Sequence, residues 1–492
     1  MTDEPTIPAN SGDGSLDPAD FDDFRQHAHD LLDACLDQLA AARDRPWRPV
    51  AAETKAALAP ELPRKGIGEA AIADDLASLV LPLGTGNTHP RFFGWVHGTG
   101  LAAGLLADIT AATMNSNCGG RDHGAIYVEH AVIDWARQIF GLPQGTSGLL
   151  TTGTSQSTII ALSAARVRAL GPDVRKSGIG NPAGLCAYCS EGAHSANQKA
   201  LELMGHGAQA LRRIPATSLN GGMNVSALRA QIAKDRAAGH RPFCVIATAG
   251  SVDIGAFDNL DALADLCAEE GLWLHVDGAF GCWVRIAEAP WRDLVTGIER
   301  ADSLAFDFHK WMYVQYDCGA VLIRDSAAHH AAFAARPHYL ASQEEGLGGG
   351  EPWFCDYGIE LSRGFRALKV WSCLRAYGLE RLGAKITDNC RQAAHMADLV
   401  EAADELELAA PVISNVCCFR ILSRELDGPA LDALNRRVAQ QLQLDGKVVF
   451  STTQIEARTV LRAAIVNHRT RNDDIEYAIA AVRAATRTLP GS

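Results

Sequence analysis

The 492-residue sequence contains no run of eighteen apolar residues, so no membrane-spanning helix is expected. Positive charge is in deficit. Forty-five Lys and Arg stand against 58 Asp and Glu, a formal net charge of −13, which argues against a general binder of nucleic acid or anionic membranes. The segment Met1 to Asp23 lacks the basic start and apolar run of a secretory signal and the Arg-rich pattern of a transit peptide. Thirteen cysteines are scattered without a disulfide-like framework, so a reducing cytoplasm is the expected location. Cys186 and Cys189 form a CxxC, but no second pair with zinc-site spacing accompanies it, and buried packing on a strand is the expected role. Long internal repeats, extended low-complexity tracts and the G-x-x-x-x-G-K phosphate loop are also missing.

What is present reads as a soluble globular chain, 47% apolar and 21% charged. Residues 1–23 are acidic and rich in Pro, Gly and Ser, and are expected to form a flexible lead-in. Residues 24–85 have a helical pattern (Phe24, His27, Leu31, Leu32, Cys35, Leu39) broken by Pro46, Pro49, Pro60 and Pro63. They hold too few apolar residues for a core of their own, so a helical arm packing on a partner subunit is expected. From residue 86 to 375 strand-like runs alternate with helical ones. Gly184-Tyr188, Phe243-Thr248, Leu272-Asp277, Ser303-Phe308 and Gly319-Arg324 read as strands, with Val225-Ala238 and Leu260-Glu270 as helices between them. That alternation predicts an α/β domain with a mostly parallel sheet and helices on both faces. Residues 376–492 read as a small α+β domain, with strands at Cys417-Leu422, Val448-Ser451 and Thr459-Val466. Ser342 to Pro352, with four glycines and no periodicity, reads as a lid.

The most informative feature is Asp307-Phe308-His309-Lys310. Lys310 lies 33 residues after Asp277, and both follow apolar runs that read as buried strands. In open parallel sheets, ligands bind outside the carboxyl ends of the strands, where both residues fall. An acid at one strand end and a lysine past the next is what pyridoxal phosphate (PLP) chemistry needs. The amine forms a Schiff base with the aldehyde, and the carboxylate holds the pyridine nitrogen protonated. Any α/β protein has strands ending in Asp, so the pair gains its meaning from the surrounding residues. Thr151-Thr152-Gly153-Thr154-Ser155-Gln156-Ser157 offers five hydroxyls where one would cap a helix, a pattern suited to a phosphate. His194 follows a strand and could stack on a pyridine ring. Thr248 ends the next strand and could donate to a ring oxygen, and His309 could reach the phosphate. All fall at predicted strand ends or a helix start.

The ordered set TTGTSQS, SEGAHS, ATAGSVDIGAFDNL, HVDGAFG and FHKWM resembles the PLP-dependent group II amino-acid decarboxylases, which include aromatic-amino-acid, glutamate, histidine and diaminobutyrate decarboxylases. The similarity runs from about His89 to the C-terminus. It implies PLP fold type I (aspartate-aminotransferase-like), a homodimer with a shared active site, and decarboxylation of a small-molecule amino acid. Carried over by motif, Lys310 is the Schiff-base lysine and Asp277 the pyridinium partner. Ala279 lies beneath the ring and His194 above it. Thr154, Ser155 and His309 hold the phosphate, Thr248 contacts the ring hydroxyl or the neighbourhood of His194, and Arg462 meets the substrate carboxylate.

The chain departs from the family's pattern in places. Asp307-Phe308 replaces the usual Asn-Pro, and Asp277-Gly278-Ala279 the more frequent Asp-Ala-Ala. Phe354 falls where the family's lid carries a tyrosine thought to protonate the product carbanion, with Tyr357 three residues on. If Phe354 holds that place, an oxidative outcome giving an aldehyde becomes an alternative to the amine. His97, Asn115, Asn117, Arg121 and His123 replace the apolar residues of aromatic-amino-acid decarboxylases, so a substrate with a polar or acidic side chain is expected. The competing reading pairs Arg121 and His123 with acids at the dimer interface. Another PLP-dependent carbon–carbon lyase is a further alternative. A nicotinamide oxidoreductase is a remote one, because the glycines from Gly98 to Gly104 have the wrong spacing.

Overall fold

The computed structural model describes residues 16–179, 184–218, 221–335, 345–349 and 352–488. Seven strands build a large sheet: β1 (Ser147–Thr151), β2 (Leu185–Ser190), β3 (Leu211–Ile214), β4 (Arg241–Thr248), β5 (Trp273–Asp277), β6 (Ser303–Asp307) and β7 (Gly319–Ile323). Their order is β1-β7-β6-β5-β4-β2-β3, parallel except at β7, which runs antiparallel to both neighbours. Every residue of β2, β5, β6 and β7 is buried, which explains why these strands read as continuous apolar runs rather than alternating ones. Helices fill the crossovers. Leu260–Glu270 buries Leu260, Leu263, Ala264, Leu266 and Cys267 on one stripe. The Asn259 side chain caps its start by accepting from the Ala262 amide, and Gly271 (φ 67) ends it in the left-handed region.

A second sheet, β10-β11-β9-β8, is antiparallel and made of β8 (Leu406–Leu408), β9 (Val416–Ile421), β10 (Ser451–Ile455) and β11 (Arg458–Ala464). Its core takes in Phe93, whose ring lies 5.8 Å from that of Phe450. The strand expected at Val448-Ser451 starts later. Val449 makes only an isolated bridge to Phe92, and the ladder begins at Ser451. β1, β3 and β8 were not anticipated, being short runs with little pattern of their own. Helix Ala367–Glu401 crosses from the large sheet's helices to the small sheet, with non-helical Gly378 (φ 73) interrupting it.

At the N-terminus, helix Phe21–Ala40 is capped by Asp20, whose carboxylate accepts from the amides of Asp22 and Asp23. No residue of this helix is buried. Phe21, Phe24 and Leu36 are exposed on it, and Leu58, Leu62, Ile67, Ile72, Leu76 and Val80 are exposed on the segment that follows. Residues 1–15 of the expected lead-in, and 342–344, 350 and 351 of the expected lid, lie outside the described residues. Among the described residues no helix is long and apolar enough to cross a membrane.

Candidate active site

β4, β5 and β6 run side by side, and their carboxyl ends deliver Thr248, Asp277 and Asp307 to one edge of the sheet. Thr248 and Asp277 are direct partners in the β4–β5 register. Past β6 the chain turns and presents His309 and Lys310. β1 arrives at the same edge with Thr151, and the loop Thr152-Gly153 leads into helix Thr154–Leu170. Gly319 of β7 pairs with Thr151 on one side and Asp307 on the other. A Cβ on Gly319 would stand 2.5 Å from the Gly153 Cα and 2.6 Å from the Asp307 Oδ1, so only glycine lets these two ends meet.

The result is a cavity of about 530 Å³. Nine of the residues expected in the site line it: His97, Thr154, Ser155, His194, Thr248, Asp277, Ala279, His309 and Lys310. Asp277 is buried, and its carboxylate accepts from the Asn197 side-chain amide (3.2 Å) and from the Ala279 N–H (3.3 Å). His194 caps the helix Ser195–Leu203. Its Nδ1 accepts from the Ala196 amide at 3.1 Å, which leaves its proton on Nε2. His309 Nδ1 accepts from the Cys318 amide (3.0 Å), its ring lies 4.4 Å from that of Tyr316, and burial pushes its pKa down. His97 clusters with Phe92 and Trp95, its ring 5.7 Å from each, and its pKa is lowered by burial and by the Lys310 charge. Tyr316, also on the wall, has its phenol pushed up to about 12, first by burial and then by Asp307.

The cavity suits PLP in its donor set. The hydroxyls of Thr154 and Thr248 are buried and have no partner among the described residues, and a buried donor without one is costly. One lies at the start of a helix, where an anion is favoured, and the other beside Asp277. Lys310 supplies the amine, and Asp277 the carboxylate.

Asn117, Arg121, His123, Phe354 and Arg462 lie outside this cavity within one chain. Asn117 Oδ1 accepts from the amides of Gly119 and Arg363, both at 3.0 Å, and so shapes a turn. His123 precedes helix Gly124–Phe140, with Nε2 3.2 Å from the Asn117 carbonyl. Arg121 (φ 82) places its guanidinium 5.9 Å from the Trp353 ring. Phe354 was expected on the substrate side of the lid. It is instead 3% exposed, with its ring 4.7 Å from that of His130 and 5.3 Å from the Arg363 guanidinium, because an apolar ring at the start of a short 3₁₀ turn gains more by burial there. Tyr357 packs against His329 and His330. Arg462 lies behind the wall, where Nη1 donates to the Trp95 carbonyl (3.0 Å) and Nε to the Asp253 carbonyl (3.1 Å), while Nη2 is buried with no partner among the described residues.

Sequence reasoning passed over Asn197, Trp95 and Tyr316 as site residues, and treated Asp307 only as a departure from a motif. A helix-start histidine followed three residues on by an amide was the one available pointer to Asn197. Nothing in the local sequence marks Tyr316.

Comparison with known proteins agrees with this geometry. The family described as "Pyridoxal-dependent decarboxylase conserved domain" matches residues 52–422. An aromatic-L-amino-acid decarboxylase of Bacillus atrophaeus is 33% identical over 399 residues, 80% of this chain and 81% of the relative. An L-2,4-diaminobutyrate decarboxylase of Rhizobium meliloti (strain 1021) is 30% identical over 431 residues, 87% of this chain and 84% of the relative. Among solved structures, Oryza sativa TDC with PLP and tryptamine superposes with a TM-score of 0.87 at 27% identity, covering 96% of this chain and 99% of that one.

Proposed function

The chain belongs to the group II PLP-dependent amino-acid decarboxylases, and from that premise we propose that it converts an L-amino acid with a polar or acidic side chain to the amine and CO2. It is a PLP-dependent carboxy-lyase. The observation that carries the residue-level reading is the convergence of Lys310, Asp277, Thr248 and Thr154, from four separate stretches of sequence, on one cavity. When bound, PLP supplies the electron sink for the pair released as CO2 leaves.

In this reading the Lys310 amine would hold the cofactor, and Asp277, oriented by Asn197 and the Ala279 amide, would supply the carboxylate that keeps its pyridine protonated. Thr154, Ser155 and His309 would hold the phosphate, Thr248 would donate from its hydroxyl, and Ala279 and His194 would contact the ring. His194 presents a proton on Nε2 to the substrate side. The free Nη2 of Arg462 suits a carboxylate, once Trp95 admits one. When not bonded to the cofactor, the Lys310 amine would be the group placed to return a proton to the substrate Cα.

A homodimer completes the site in this reading. The exposed apolar residues of 21–80 need a cover, and a second chain is what would bring Asn117, Arg121 and His123 to the substrate. With every cysteine free, a reducing cytoplasm fits. A second reading, an aromatic substrate, is favoured by Trp95, Tyr316 and Phe280 on the cavity wall. The aldehyde-forming alternative was motivated by Phe354, and its burial away from the cavity weakens that motive.

The test incubates PLP-loaded protein with each common amino acid and measures CO2, oxygen uptake and the organic product. Amine and CO2 in equal amounts from a polar or acidic amino acid, with no oxygen consumed, is expected. An aromatic best substrate overturns the side-chain assignment. Aldehyde with ammonia and peroxide overturns the amine.

A further inference from the structure

The departure at residue 307 has physical consequences that the family resemblance does not supply. Asp307 is 1% exposed. Its Oδ1 accepts from the Thr154 amide at 2.7 Å, and its Oδ2 lies 2.8 Å from the Lys310 Nζ. The carboxylate thus occupies the N-terminus of helix Thr154–Leu170, the place the hydroxyl-rich loop prepares for a phosphate. Space for it is built in, since any side chain at Gly319 would collide with Oδ1. Its other neighbours are His309, with Nε2 3.7 Å from Oδ2, the Tyr316 phenol, and Cys282 after β5, which also feels Asp277 and Lys310. Among the described residues, the side chains paired with it that can carry positive charge are Lys310 and His309.

We propose that Asp307 is an internal anion that competes with the cofactor's phosphate for the Thr154 amide, so that this chain holds its cofactor more loosely than the same site with a neutral residue there. This rests on reading the cavity as the PLP site. Two anions at one helix N-terminus repel, and the donor that serves one is denied to the other. Asparagine keeps the acceptor for Thr154 and removes the charge.

The experiment titrates PLP and phosphate-free pyridoxal into cofactor-free protein, following the visible absorbance of the lysine-bound form and the heat of binding. In Asp307→Asn, PLP should bind tighter by on the order of tenfold or more, while pyridoxal changes by less than about threefold. Inorganic phosphate should compete with PLP more effectively in the variant than in the wild type. Asp307→Ser, which removes the charge with a shorter side chain, repeats the comparison. Weaker PLP binding, or equal gains for PLP and pyridoxal, overturns the proposal. Lys310→Ala serves as the control: if it still develops the lysine-bound absorbance, the reading of the cavity fails instead.

Discussion

Replacing Arg363 with methionine should destabilise the protein by about 3–5 kcal/mol. Arg363 and Glu129 form an ion pair in which both side chains are fully buried. The guanidinium donates to Glu129 twice, at 2.6 and 3.1 Å, to the Leu150 carbonyl at 2.6 Å and to the Cys118 carbonyl at 2.8 Å. Glu129 in turn accepts from the Leu150 amide at 3.1 Å. One pair therefore pins the segment around Arg363, helix Gly124–Phe140 and β1 just before the Thr152-Gly153 loop. Methionine nearly fills the volume but strands the Glu129 carboxylate without its cation, and that stranded charge dominates the cost. The double variant Glu129→Leu with Arg363→Met removes both charges and should recover part of the loss, because the stranded charge goes while the backbone groups of Leu150 and Cys118 lose their partners. Urea unfolding followed by tryptophan fluorescence on wild type, both singles and the double gives the coupling energy. A single-variant loss below about 1 kcal/mol, or a double no more stable than Arg363→Met, would refute the reasoning.

Lys310→Ala should abolish the visible absorbance of bound cofactor and all turnover, and turnover near the wild-type rate would sink the lysine assignment. Deleting residues 1–84 should cause aggregation or dissociation in light scattering after gel filtration, because the arm's exposed apolar face and the surface it covers lose each other. A soluble, fully active truncation contradicts the dimer. Arg121→Ala should weaken the best substrate by roughly ten- to a hundred-fold while leaving the cofactor spectrum intact, the loss expected for a hydrogen bond to a charged group; a silent variant makes Arg121 structural. His275 is fully buried against the Ser303 hydroxyl (2.8 Å), and desolvation lowers its pKa to about 4 from 6.5. The folded state keeps it neutral while the unfolded state takes the proton first, so stability is full above about pH 6.5 and is lost as pH falls toward 4. The difference is worth ~3 kcal/mol for this one residue. His275→Gln should flatten the dependence of unfolding free energy on pH in that window, and an unchanged slope refutes the assignment.

The large sheet was legible because parallel strands buried on both faces leave contiguous apolar runs, and β2, β4, β5, β6 and β7 all fall within a few residues of where those runs predict them. The cavity-lining set was legible for a related reason: in such a sheet the ligand edge is also the end of each run, so Thr248, Asp277 and Lys310 mark themselves by where the apolar stretch stops. Residues placed by tertiary contact carry no such mark. Tyr316 reaches the cavity by packing on His309, and Asn197 supports it from behind by bonding to Asp277, neither of which has a local period. Phe354 shows the opposite error. A position inferred by counting back through a glycine-rich stretch has nothing to fix its register, and burial between His130 and Arg363 decided where the ring went. Asn117, Arg121 and His123 expose the limit of arguing from one chain. Their polar character reads as a pocket in the sequence, yet in a single chain their bonds shape a turn beside Trp353 and Arg363. Polar residues that specify a substrate across a subunit boundary have to be held by their own chain first, so the turn geometry and the shared-pocket proposal are compatible. The Arg121 variant separates them, because a turn residue affects stability and a pocket residue affects the choice of substrate.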